Sequence, residues 1–180
     1  GIGVDWGALG QNISNETGLT FAFSQTPSPN GSTPALNHGF ISDVYHVNLT
    51  FDFKNVITDS KGNVLSGLTS DNLGDHSQAM ISVMGILDQL SKLPGWDAKS
   101  AEEKQCMLTQ ALTNTIKHEL GHALSGIGSE DFQIGKNSPV KGTVMSTKVL
   151  KNPDFLKKTL PYSPGRLKQI QRYVNSGAVW

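Results

Sequence analysis

The sequence predicts an α+β fold in one soluble domain. Three short stretches of alternating apolar and polar residues lie in the first 70 positions, and four stretches with helical spacing surround or follow them. The chain has 180 residues, of which 37% are hydrophobic, so it is long enough to bury a core. It has no run of 18 apolar residues, and we therefore expect no membrane span.

Strands are predicted in the first part of the chain, where alternation is typical of strands with one buried face. The three alternating stretches are residues 19–25, 44–53 and 64–68. Residues 26–39 contain three prolines and predict a loop between the first two strands. Residues 59–62, Asp-Ser-Lys-Gly, predict the turn that leads to the third strand.

Helices are predicted where apolar residues recur every three to four positions. These stretches are residues 5–18, 77–93, 100–126 and 164–175. The third is the best defined, because Ser100 and Glu103 form a capping box and Gly126 is a natural stop. Its apolar stripe consists of Met107, Ala111, Leu112, Ile116, Leu120, Ala123 and Leu124. Cys106 falls near this stripe, and we expect it to be buried.

Residues 118–122 of that helix read His-Glu-Leu-Gly-His. At about 100° per residue, His118 and His122 lie on one face, one turn apart, so both imidazoles can bind one zinc ion at about 2.0–2.1 Å. Both border the apolar stripe, and we expect them to be half-buried. Glu119 then lies beside the metal, where its carboxylate can take a proton from an activated water and pass it to a leaving amine. The motif therefore predicts zinc-dependent peptide hydrolysis.

Composition excludes several other classes of site. The single cysteine permits neither an internal disulfide nor a paired-cysteine zinc knuckle. Residues 1–132 carry 6 lysines and 14 acidic residues, whereas residues 133–180 carry 9 basic residues and one acidic residue. We interpret this split as solvated faces that attract each other; across a cleft, it would orient a charged substrate. The lysines lack interleaved aromatic residues, so we expect no nucleic-acid binding.

Over residues 100–175 the chain resembles the metzincin clan of zinc peptidases. The resemblance rests on the motif at 118–122, on the glycine that closes its helix, and on the final helix. It also rests on residues 142–146, Gly-Thr-Val-Met-Ser, which are similar to the methionine-containing turn beneath the zinc, with Met145 as the methionine. The resemblance implies a small mixed sheet with helices above a cleft, within residues 1–126. It further implies an irregular lower subdomain with a C-terminal helix, at residues 127–180, in a single catalytic domain.

The chain departs from the metzincin pattern at the third zinc ligand. That pattern has glycine seven residues and histidine or aspartate ten residues after the first histidine, but here these positions are Ser125 and Gly128. In the immunoglobulin-A-peptidase-like (igalysin) group, to which the chain is nearest, the helix is one residue longer. The ligand would then fall on Ser129, which is a poor donor.

Exclusion narrows the choice of the third ligand. No histidine follows His122, and the only acidic residues after it are Glu130, Asp131 and Asp154. We favour Asp131 over Glu130, because the resembling families use aspartate and this loop carries inserted residues. Asp154 would serve only in an arrangement in which a downstream helix donates the acid. The remaining alternatives are upstream histidines: His38, His46 and His76.

The clan often has a tyrosine two residues after the turn methionine, which assists the oxyanion, but Thr147 occupies that position here. Tyr162 is an alternative, although we expect it to pack against the last helix, which leaves oxyanion stabilisation to zinc. The resemblance implies an endopeptidase acting on proteins or peptides, in a secreted, periplasmic or cell-surface location. The alternative is an inactive zinc-binding recognition domain derived from a peptidase.

Overall fold

The computed structural model describes residues 2–19, 22–23, 35–37, 48–69, 78–125, 142–146 and 153–176. The α-helices in these ranges are α1 (Trp6–Thr17), α2 (Val83–Ser91), α3 (Ala101–Ser125) and α4 (Pro164–Ser176), and Pro153–Leu156 forms a 3-10 helix. The strands are β1 (Ala22–Phe23), β2 (Ala35–Asn37), β3 (Asn48–Asp52), β4 (Ile57–Thr58), β5 (Val64–Leu65), β6 (Gly67–Thr69) and β7 (Gln78–Ser82). The predicted α+β class is confirmed.

Five of these strands form a small mixed sheet in the order β1-β2-β3-β7-β6. Strands β3 and β7 are parallel, and the other pairs are antiparallel. Alternate residues of the central strands point into the core, and these are Leu49, Phe51, Ala79 and Ile81. The opposite face is open to solvent at its edge, where Leu68 of β6 lies beside Met80 of β7 and the two are 52% and 36% exposed.

Two sequence predictions of local structure are wrong. The helix predicted from residue 77 begins only at Val83, because residues 78–82 form β7 between β3 and β6. The apolar residues in that stretch fit both periods, and pairing on both sides favours the strand. Strand β2 lies inside the predicted loop at 26–39, since three residues between turn-forming neighbours are too few to show a period.

A separate hairpin joins β4 to β5 through the predicted turn. The Asp59 carboxylate accepts the backbone N–H groups of Lys61 at 2.8 Å and Asn63 at 2.9 Å. Gly62 adopts a φ of 77°, which a residue with a side chain rarely adopts. The turn residues therefore determine the hairpin from local interactions alone.

Helix α1 lies where it was predicted and packs against α3. Its N-cap, Asp5, accepts the N–H of Ala8 at 2.9 Å, and Gly18 ends it with a φ of 76°. Trp6 meets Phe51 of β3 edge to face, with ring centroids 5.1 Å apart. This helix therefore links the sheet to the central helix.

Helix α3 is the centre of the molecule. The predicted capping box forms, since the Ser100 hydroxyl accepts the N–H of Glu103 at 3.2 Å and the Glu103 carboxylate accepts the N–H of Ser100 at 2.8 Å. The predicted apolar stripe is buried from Ala111 to Leu124. Cys106 is exposed, contrary to prediction, because it lies beside the stripe on the solvent side of the helix.

A buried amide side chain of α3 holds the 3-10 helix and the segment that follows it. Asn114 is fully buried and donates to the carbonyl groups of Phe155 at 2.8 Å and Lys158 at 2.7 Å. Its oxygen accepts the N–H of Leu160 at 2.8 Å. Helix α4 then follows where it was predicted and packs against α3. None of the described helices has the length and apolar character needed to cross a membrane.

Candidate functional site

His118 and His122 direct their side-chain nitrogens to the same point. Their Nε2 atoms are 3.0 Å apart, and their rings are nearly perpendicular, with an interplanar angle of 83°. His118 is 5% exposed, whereas His122 is half-buried. The prediction that both histidines are half-buried is therefore confirmed for His122, whereas His118 is buried.

A backbone carbonyl group fixes the orientation of His118. The Nδ1 atom of His118 lies 2.9 Å from the carbonyl oxygen of Val144. A carbonyl oxygen can only accept a hydrogen bond, so Nδ1 carries a proton, and in the neutral imidazole Nε2 then carries the lone pair. Val144 is itself held, because its N–H donates to the carbonyl oxygen of Pro161 at 2.8 Å. A hydrogen bond from Nδ1–H of a histidine to a backbone carbonyl group is one of the arrangements by which proteins orient metal-binding histidines.

Met145, the predicted turn methionine, packs directly against the motif helix. It is fully buried, in a turn that Gly142 opens with a φ of 77°. A Cβ atom on Gly121 would lie 3.0 Å from Cε of Met145 and would overlap its sulfur. On the motif helix the carbonyl oxygen of Gly121 accepts from the buried guanidinium of Arg166 in α4 at 3.3 Å. Glycine in the motif thus allows the turn and α3 to approach closely.

Glu119 is buried beneath strand β6. Its side chain is 4% exposed, and its Oε2 atom accepts a hydrogen bond from the hydroxyl of Thr69. Burial raises the pKa of Glu119 from 4.5 to about 7, although the hydrogen bond from Thr69 acts in the opposite direction. A cation bound nearby would lower this pKa again, because it favours the carboxylate. The site therefore contains a carboxyl group that titrates near neutral pH.

A buried ion pair supports the helix just before the motif. The Lys117 ammonium group is 1% exposed, pairs with the Glu16 carboxylate of α1, and donates to the carbonyl oxygen of Leu160. Burial lowers the pKa of Lys117, while Glu16 raises it. Tyr162 is buried and donates its hydroxyl to the Lys117 carbonyl oxygen, and burial raises the pKa of this phenol. The Tyr162 hydroxyl is thus engaged inside the fold, by α3.

The third ligand predicted from the sequence, Asp131, and its alternative, Glu130, lie outside the described residues. The same holds for four other residues considered above: His38, His46, His76 and Thr147. Asp154 is described, and its carboxylate is 53% exposed and pairs with Lys158 at 3.0 Å. Among the described residues no three His, Cys, Asp or Glu side chains come together as a metal site. A zinc ion held by the two histidines would therefore need its third protein ligand from the rest of the chain.

The two histidines fit zinc as a donor set. Two nitrogens bound to one tetrahedral ion at about 2.0–2.1 Å lie about 3.3 Å from each other, close to the observed separation of 3.0 Å. In its neutral form His118, whose Nδ1 donates to Val144, presents the lone pair of Nε2 on the side of His122.

Sequence reasoning missed the contacts of Gly67, Thr69 and Val144 with the motif. Thr69 and Glu119 are 50 positions apart in the chain, and nothing in one sequence signals such a contact.

Comparisons with known proteins found no counterpart. The chain matches no family model, no curated protein sequence and no solved structure. The interpretation of the site therefore depends on its own residues and their geometry.

Proposed function

We propose that this protein is a zinc-dependent endopeptidase that cleaves protein or peptide substrates. The observation that carries the proposal is the convergence of the Nε2 atoms of His118 and His122, 3.0 Å apart, on a helix that also carries the buried carboxyl group of Glu119. Two converging imidazoles and a carboxylate on the same helix are protein groups that metal-assisted peptide hydrolysis uses. A secreted, periplasmic or cell-surface location is part of the proposal, and it comes from the metzincin resemblance alone.

The roles of the residues follow from their contacts. The chemistry that zinc supplies when bound is polarisation of the scissile carbonyl group and a lower pKa for the attacking water. Glu119 would remove a proton from that water and transfer it to the leaving amine. The hydrogen bond to the Val144 carbonyl oxygen holds the ring orientation of His118, and Met145 packs against the helix at Gly121. Water is excluded from most of the Glu119 side chain by strand β6.

We propose that Asp131 completes the ligand set, on the basis of the sequence. An aspartate shortly after a helix-ending glycine reaches the metal with one rotatable bond fewer to order than a glutamate. Asp131→Ala should therefore weaken zinc affinity more than Glu130→Ala, which should cost about 10- to 100-fold, as for an outer-shell partner. Competition with a chromogenic chelator measures both affinities. The reverse order of the two variants would assign the role to Glu130, and no effect of either would remove both.

The general-base role is tested with Glu119→Gln, because the amide preserves the shape and the Thr69 contact but cannot take the proton. We expect about one zinc per chain in the wild type and this variant, with cleavage of unfolded casein only in the wild type. His118→Ala should lose both zinc and cleavage, since it removes a ligand. Activity above a few per cent in the glutamine variant would exclude Glu119 as the base. One bound zinc in a wild type without cleavage would instead support a zinc-binding recognition domain.

A further inference from the structure

Strand β6 contacts the catalytic carboxyl group of the proposed site with two alternate residues. Gly67 and Thr69 lie opposite Ile81 and Ala79 of β7, which are buried, so both face the core side of the sheet. The Thr69 hydroxyl lies within hydrogen-bonding distance of Glu119 Oε2 and 3.3 Å from the Glu119 backbone oxygen. The Thr69 side chain thus contacts both the carboxylate and the backbone oxygen of Glu119.

Gly67 leaves the space into which the carboxylate fits. A Cβ atom at this position would lie 2.7 Å from Oε1, 2.9 Å from Cγ and 3.0 Å from Cδ of Glu119. Contacts this short would force the carboxylate to move. Because Glu119 is buried, the carboxylate has little free space to move into. Gly67 and Thr69 therefore form a cradle, in which one residue admits the carboxylate and the other binds it.

A threonine on a paired strand is suited to this task. Its branched Cβ restricts the first side-chain torsion, and pairing with β7 fixes its backbone, so the position of the hydroxyl is well determined. A glutamate side chain has three rotatable bonds and loses this freedom when a donor holds one of its oxygens. Small displacements of a catalytic group reduce rates strongly, so a fixed donor has a kinetic effect.

We propose that Thr69 is a positioning residue, whose hydroxyl holds the Glu119 carboxylate in the orientation that proton transfer needs. The hydroxyl engages Oε2, and proton transfer would use Oε1, which lies next to Gly67. The inference rests on the proposed peptidase function for its kinetic consequence, and on the contacts of β6 with Glu119 for its structural one.

The test compares Thr69→Val, which keeps the shape and removes the hydroxyl, with Thr69→Ser, which restores the hydroxyl. Thr50→Val is the matched control, because Thr50 lies beside Met80 on the opposite face of the same sheet. With the zinc-loaded full chain and labelled unfolded casein, we expect Thr69→Val to lower kcat about 10- to 100-fold, the scale of outer-shell partners. KM and zinc affinity should stay within about twofold of the wild type. Thr69→Ser should recover kcat to within about threefold, and Thr50→Val should match the wild type.

A second variant perturbs the Glu119 carboxylate without removing the Thr69 hydroxyl. Gly67→Ala keeps the Thr69 hydroxyl but displaces the carboxylate, so kcat should fall while zinc content is retained. The proposal is overturned if Thr69→Val leaves kcat unchanged or raises it, or if serine fails as valine does. Equal losses of zinc affinity and kcat in the valine variant would also overturn it, since they indicate a defect of the whole site.

A structural readout separates this inference from the peptidase proposal. In crystals of the metal-free protein, Glu119 should occupy one rotamer in the wild type and in Thr50→Val, but more than one in Thr69→Val. A single unchanged rotamer in Thr69→Val overturns the positioning role, whether or not the protein cleaves casein. A wild type that binds zinc without cleavage would refute the peptidase proposal, and the rotamer comparison would still decide the role of Thr69.

Discussion

Replacing Gly121 by alanine tests the contact between the motif helix and the methionine turn. In a helix interior alanine is favoured over glycine by about 1 kcal/mol. Here the added methyl group would overlap the sulfur of Met145, which is fully buried, and overpacking of this kind costs about 1–3 kcal/mol. The methyl clash therefore cancels or outweighs the gain in helix propensity, and we expect a net loss of stability of about 0–2 kcal/mol.

The control is Gly165→Ala in α4, where an added Cβ atom meets nothing within 4 Å. This variant should gain about 0.4–1 kcal/mol, so the two alanine variants should differ by about 0.4–3 kcal/mol. Urea unfolding of the metal-free chain gives both values without the contribution of bound zinc. The reasoning is refuted if Gly121→Ala stabilises the chain as much as the control does.

A double-mutant cycle makes the same test specific for the pair. Met145→Ala alone should cost about 2–5 kcal/mol, because it leaves a cavity beneath α3. In the double variant the alanine methyl at position 121 fills part of that cavity, so the loss should be smaller than the sum of the single losses. We expect a coupling energy of about 0.5–3 kcal/mol in this direction. A coupling energy near zero would mean that the two residues do not touch.

Two further predictions concern buried charges. Glu16→Gln should destabilise the chain by about 2–4 kcal/mol, because it leaves the Lys117 ammonium group buried without its counter-charge. Lys117→Met should cost less, and thermal unfolding measures both variants. For Glu119, the pKa raised from 4.5 to about 7 means that the native state of the metal-free chain binds the proton more tightly than the unfolded state does. This contribution to the free energy of unfolding is therefore complete below pH 4.5 and is lost as the pH rises to about 7. The loss amounts to about 3 kcal/mol, and Glu119→Gln should remove it from the pH profile of unfolding; identical profiles would show that Glu119 has an ordinary pKa.

Local patterns predicted the elements whose boundaries depend on neighbouring residues. The capping box before α3, the cap residues of α1 and the Asp-Ser-Lys-Gly turn are short-range interactions, and each lies where the sequence places it. Strand β7 was missed because its stability comes from pairing with β6 and with β3, whose partner residues lie 30 positions earlier in the chain. The period of its apolar residues did not distinguish a strand from the first turns of a helix.

The same distinction applies to the candidate site. The spacing of His118 and His122 follows from the helix alone, and so could be predicted. The carbonyl group that orients His118 and the hydroxyl that binds Glu119 come from other parts of the chain, 26 and 50 positions away. Such contacts depend on how α3 packs against the turn and the sheet. A single sequence carries no signal for them, even when the motif itself is evident.

Four of the five residues from Lys117 to Gly121 contact another element of the structure. Lys117 is paired with a carboxylate on α1, His118 with a carbonyl group of the turn at 142–146, and Glu119 with a hydroxyl group on β6. Gly121 contacts that same turn, and its carbonyl oxygen accepts a hydrogen bond from Arg166 of α4. Protein contacts alone therefore fix the orientation of His118 and Glu119, so metal binding need not order these side chains. Among variants that keep both histidines, we therefore expect differences in zinc affinity to depend mainly on the third ligand, and differences in the catalytic rate of the proposed peptidase to depend on the contacts beneath β6.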